Sequence, residues 1–150
     1  MSVYEIDTLM TETRRLAAQY YQTTRQSLPV SHEIARYDAV RLLSLTEPPE
    51  PQKGVDAYQP DQTPVQIKGR VIFDESKSNY RIGQLNQDGL WQKVLLVIMN
   101  PDYHTEAIYV ATRDAIDAAN QDTQNPKRNK RGAMSVAKFK AIGELIWTNE

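Results

Sequence analysis

"GVDAYQPDQTPVQIKGR", residues Gly54 to Arg70, decides how this chain is read. Val65 to Phe73 places Val65, Ile67, Val71 and Phe73 at alternate positions, the spacing of a β-strand with one apolar face. Gln66 and Lys68 then project together on the other face. Val55 to Tyr58 is a short strand carrying Asp56, and "QPDQTP" is the turn between the two. Polar side chains on a strand covered by helices need partners, because burying them unpaired is costly. A hard cation satisfies all of them together. Asp56 offers a carboxylate, Gln66 an amide oxygen, and Ile67 a backbone carbonyl, while Mg²⁺ keeps several waters and takes one or two carboxylates beside substrate phosphate. Lys68 would face that phosphate and orient or deprotonate an attacking water.

The rest of the chain supplies a frame for this hairpin. Spacings of three, four and seven among Ile6, Leu9, Met10, Leu16, Ala17, Tyr20 and Tyr21 predict an amphipathic helix within residues 1–28, ended by Pro29. Ser31 can cap a second helix, with Glu33 in its first turn and apolar residues to Leu45. The three prolines of "TEPPEPQKG" forbid its continuation. Downstream, "KVLLVIMN" is apolar throughout, as a strand covered on both faces requires. "EAIYVAT" is another strand, "RDAIDAANQ" starts a helix, and Val136, Phe139, Ile142, Gly143 and Ile146 mark one face of a C-terminal helix over 134–148. The fold class expected is α/β (α+β): one domain over 1–150, with a mixed central β-sheet of about four to five strands flanked by helices.

Composition narrows the function. The 150 residues carry a formal net charge of −1, so any nucleic-acid partner must be met by a local basic patch. With no cysteine, disulfides and thiolate metal sites are excluded. The two histidines, His32 and His104, lie too far apart for a spacing argument, and both read as surface residues. The start lacks a secretory pattern and the apolar run Val94 to Met99 is too short for a bilayer, so the expectation is a soluble cytoplasmic domain without a membrane partner.

The order Asp56, Gln66, Lys68 across two adjoining strands resembles the PD-(D/E)xK nuclease superfamily, the restriction-endonuclease-like fold. The likeness covers residues 31–111, and "FKAIGELIW" fits it too. It implies a metal-dependent endonuclease using Mg²⁺ (or Mn²⁺) on DNA, in restriction, defence or repair, with Asp56, Gln66, Lys68 and Glu33 as catalytic residues. Asp56, Gln66, the Ile67 carbonyl and Glu33 are then the metal ligands. Arg70, Lys77 and the run Lys127, Arg128, Lys130, Arg131 are the expected phosphate contacts. Gln66 stands where most members have an acid, although some branches also carry glutamine; the change removes one negative charge. The other reading is a nuclease-fold module without the chemistry, binding nucleic acid or a protein partner encoded beside it, or acting as a homodimer. Bland roles stay open as well: Glu33 suits the positive end of its helix, Asp56 a turn, Lys68 a strand edge with its stem buried, and the basic run a solvated loop.

Overall fold

A computed structural model describes residues 3–77, 80–121 and 134–149. The chain runs α1 (Val3–Thr24), α2 (Ser31–Leu42), β1 (Ala57–Tyr58), β2 (Pro64–Val71), β3 (Lys93–Met99), β4 (Thr105–Thr112), α3 (Arg113–Gln121), α4 (Val136–Ile142) and β5 (Glu144–Thr148). The five strands form one mixed sheet in chain order, with β2 and β3 parallel and the other neighbours antiparallel. The α+β class and the helix-flanked sheet expected from the sequence are both present. Among the described residues no helix is long and apolar enough to cross a membrane.

Strand alternation divides the core in two. Val65, Ile67, Leu95, Val97 and Ile108 meet Ala35 and Ala39 of α2 and Ala17 of α1 on one face. Val94, Leu96 and Ile98 meet Ile116 of α3 and Phe139 of α4 on the other. β3 is buried on both faces, which is why its seven residues read as an unbroken apolar run. The contact between α2 and β2 is unusually close. A Cβ added to Gly69 would stand 2.4 Å from Ala35 Cβ and 3.0 Å from the Ser31 carbonyl oxygen, so Gly69 and Ala35 together bring the start of α2 down onto the strand.

Three boundaries differ from the sequence reading. Residues 134–148 are not one helix: α4 stops at Ile142, and Glu144–Thr148 pairs with β4 instead. At Gly143 the backbone turns extended and presses on β4, where an added Cβ would meet the Val110 carbonyl oxygen at 2.7 Å. The β-branched and aromatic residues that follow suit a strand as well as a helix, and pairing with β4 decides between them. β1 holds only Ala57 and Tyr58, leaving Asp56 just ahead of it, and β2 ends at Val71 rather than Phe73.

Ser31 is the first residue of α2 rather than its cap: Val30 holds the cap position, with no side-chain cap hydrogen bond. The buried face of α1 also differs from the sequence reading. Leu9 and Leu16 are 53% and 56% exposed, whereas Arg14 is buried beside Ala17 and Ala18. Arg14 Nη1 donates to Asp38 Oδ2 at 2.8 Å and to the Tyr103 carbonyl at 2.7 Å, and its Nη2 donates to Asp38 Oδ1. Thr105 Oγ1 donates to Asp38 Oδ2 at 2.6 Å. This network ties α1, α2 and the start of β4 together, and Tyr21 adds a stacked contact with Phe73 at 3.7 Å between ring centroids. An ion pair that deep is costly to break by halves, since the surviving charge stays buried. Replacing Asp38 with Ala should therefore lower unfolding stability by about 3–5 kcal/mol, read as a fall in the urea midpoint.

Candidate metal and phosphate site

Among the described residues, the outer edge of β2 has no strand beside it beyond Val65, because β1 pairs only with Pro64 and Val65. Asp56 fills the gap. Its backbone N–H donates to the Val65 carbonyl at 2.9 Å, and its Oδ2 accepts the N–H of Ile67 at 2.7 Å. The carboxylate is thus fixed against the strand between residues 66 and 68. Gln66 and Lys68 lie beside Val94 and Leu96 in the parallel register, on the sheet face covered by α3 and α4. Asp56 lies close enough to Lys68 for its charge to act on the amine, and Gln66 shares the Lys68 face of β2.

Gln66 is 9% exposed, and its Oε1 is buried with no hydrogen-bond partner. Leaving such an acceptor unmet costs about 1–3 kcal/mol. Lys68 is half-buried, and its Nζ donates to the Gln84 carbonyl at 2.8 Å. Burial pulls its pKa below the usual lysine value of 10.5, and the Asp56 charge only partly opposes that. The pair therefore consists of an anchored carboxylate and an amine that gives up its proton more readily than a solvated lysine.

The segment that receives Lys68 is itself pinned. Arg113 donates to the carbonyls of Gly89 at 2.7 Å, Trp91 at 2.9 Å and Gln87 at 2.5 Å, with its guanidinium 4.3 Å from the Trp91 ring centroid. Leu90 N–H donates to the Lys53 carbonyl at 2.9 Å. Gly54, at φ +72°, lies so near Gly89 that a Cβ on it would come within 2.7 Å of the Gly89 Cα. Only glycine suits both the left-handed backbone and that approach. One connection, residues 80–92, thus abuts the Asp56 arm and grips Lys68.

Other expected residues are placed differently. Glu33 sits in the first turn of α2, 58% exposed at its side chain, and pairs with Arg36 at 2.7 Å. Arg36 also feels the Asp56 charge, and His32 Nε2 stands 3.9 Å from Asp56 Oδ1. His32 and Arg36 are neighbours of the site that the sequence reading did not assign. Their i, i+4 spacing on one helix face was the available signal. Arg70 is exposed with its guanidinium 5.9 Å from the Tyr80 ring centroid, and Lys77 is exposed. Lys127, Arg128, Lys130 and Arg131 lie outside the described residues. Among the described residues, no group of three or more His, Asp or Glu side chains is gathered in a way that could hold a metal ion. Trp91 is fully buried, and His104 is exposed, as its reading as a surface residue expected.

No known protein family matches the chain, and no curated protein matches it either.

The Lys68 environment has a sign that can be measured. Just below pH 10.5 the unfolded chain holds the Lys68 proton while the folded protein has begun to release it, so this group makes the fold more stable as pH rises through that interval. Lys68→Met should flatten that rise in urea unfolding, whereas Lys53→Met, at an exposed lysine, should leave it in place.

Proposed function

We propose that this protein is a Mg²⁺- or Mn²⁺-dependent endonuclease that hydrolyses phosphodiester bonds in DNA. The observation that carries the reading is the buried, unpartnered Gln66 Oε1 on the strand whose edge holds the Asp56 carboxylate. An orphaned amide oxygen and an anchored carboxylate on one strand are donor types suited to a hard cation. Asp56, Gln66 and the Ile67 carbonyl would hold the ion, and Glu33 would join as an outer ligand once its pair with Arg36 opens. When bound, the cation polarises the phosphate and stabilises the charge that develops on it. Lys68, with its lowered pKa, orients the attacking water and takes its proton. Arg36, on the α2 side of Asp56, would give the phosphate a positive contact, with His32 Nε2 near it as a hydrogen-bonding group. The resemblance of Asp56, Gln66 and Lys68 to the PD-(D/E)xK pattern supports the same assignment, and restriction, defence or repair follows from that resemblance alone.

A second reading has its own observation. Glu33 is engaged by Arg36, and Asp56 stands among His32, Arg36 and Lys68. Arg36, Lys68 and His32 around Asp56 suit a module that binds the phosphates of nucleic acid without cutting them.

Cleavage separates the two. Purified protein incubated with plasmid and Mg²⁺ or Mn²⁺ should nick or linearise it, and Asp56→Ala and Lys68→Ala should each slow this on the order of a hundredfold or more. Titration calorimetry should show Mn²⁺ heat at millimolar metal that disappears in Asp56→Ala. Wild type that cuts no faster than either variant, on single- and double-stranded DNA alike, ends the endonuclease reading.

A further inference from the structure

A cleft of about 660 Å³ opens at the carboxyl ends of β2 and β3, on the sheet face that α4 covers. Ile72 lines its apolar side, and Tyr80, Lys77 and Lys140 border it. Crevices at the carboxyl ends of parallel strands are favoured ligand sites, and this volume suits a small organic ligand. The cleft also continues the candidate site. Along β2, Gln66, Lys68 and Arg70 share a face by alternation, and Ile72 follows at the cleft, roughly 13 Å beyond Lys68.

Two features specify the ligand. The Tyr80 ring is held in place, because its hydroxyl accepts the N–H groups of Phe73 at 3.2 Å and Asp74 at 3.0 Å. A fixed aromatic ring beside an arginine, here Arg70, is a platform on which a base can stack with little ordering cost. The charge is mixed: Lys77 and Lys140 share the cleft with Glu75 and Glu106. Those carboxylates repel a dense run of phosphates, so the cleft does not suit the backbone of a duplex. It suits one aromatic base with one phosphate. A base within a duplex is stacked on both sides and offers Tyr80 no face, so the ligand must be unpaired.

We infer that this cleft binds an unpaired nucleotide of a nucleic-acid strand, its base on Tyr80 and its phosphate met by Lys77 and Lys140, with Arg70 contacting the strand on its way to Lys68. The inference rests on the reading of the Asp56 site as one that acts on nucleic acid.

Binding in EDTA tests the cleft apart from cleavage. The probe is a fluorescein-labelled single strand of about 15 nucleotides, followed by anisotropy at low salt. Wild type should bind it more tightly than the duplex of the same sequence. Tyr80→Leu and Lys140→Glu should each weaken single-strand binding about tenfold. Arg15→Glu, a charge reversal on exposed α1, should leave it unchanged. Lys140 is exposed on α4, so its variant reports on the cleft even where Tyr80→Leu disturbs the turn at Phe73 and Asp74. A nucleoside monophosphate should compete and inorganic phosphate should not. Equal binding by Lys140→Glu, equal affinity for the duplex, or competition by inorganic phosphate as strong as by the nucleotide would each overturn the inference. A strand bound through Tyr80 and Lys140 by a protein that cuts nothing sinks the endonuclease reading and keeps the cleft. Cleavage indifferent to Lys140→Glu does the reverse.

Discussion

Strand β2 loses its outer neighbour after Val65, and the Asp56 carboxylate takes the place that another strand residue would have filled. A backbone N–H at an uncovered edge needs an acceptor. Supplying it from a side chain rather than from a carbonyl has a chemical consequence. A negative charge now lies fixed against the strand, with one of its oxygens spoken for and the other directed at the surroundings. Had β1 been two residues longer, Ile67 would have paired with backbone and Asp56 would have been one more residue of a hairpin. The brevity of β1 turns a structural requirement into a carboxylate fixed at the edge of β2.

What approaches Asp56 is set by the closeness of α2 to β2. Gly69 and Ala35 leave no side-chain bulk between helix and strand, and the first turns of α2 therefore carry His32 and Arg36 to the carboxylate. Lys68 closes the arrangement from the strand itself. Arg36 shares its charge with Glu33, which leaves Asp56 as the carboxylate free to meet a cation, and this constrains the proposed chemistry. A bare divalent ion gains one full negative charge there, and the neutral Gln66 oxygen adds only a dipole. A phosphate gains the basic rim but meets Asp56 head on. On the proposed reading the two together would offset each other's penalties, which an ion arriving with its phosphate would meet at once.

The sequence made part of this legible and for a stated reason. Alternation in Val65 to Val71 and the apolar run of β3 follow from which strand faces are covered, and both survive in the fold. The juxtaposition of Asp56, Gln66 and Lys68 follows from two short strands joined by a turn, which is local. What depended on distant partners was not legible. The face of α1 that packs inward is chosen by Arg14, and Arg14 is buried only because Asp38 and the Tyr103 carbonyl await it. Glu33 is drawn to Arg36 by a helix pair that no strand motif encodes. Residues 144–148 have a pattern compatible with helix and strand alike, and β4 supplies the edge that makes them a strand.

The same distinction explains Lys68. Its position on β2 is written in the alternation, but the property that makes it chemically useful is not. A lysine at a strand edge would keep an ordinary pKa in water; this one is partly withdrawn from solvent and donates to the carbonyl of Gln84. That carbonyl belongs to a connection with little regular structure, residues 80–92, whose shape is imposed from outside. Arg113 satisfies three of its carbonyls, Trp91 fills the core beneath it, and Gly89 rests against Gly54. An arginine at the start of α3 therefore governs the surroundings of an amine on β2, with the loop between them as the coupling. The candidate site is assembled where three segments distant in sequence meet: a truncated strand that frees a carboxylate, a helix brought close by a missing Cβ, and a loop held rigid by one guanidinium.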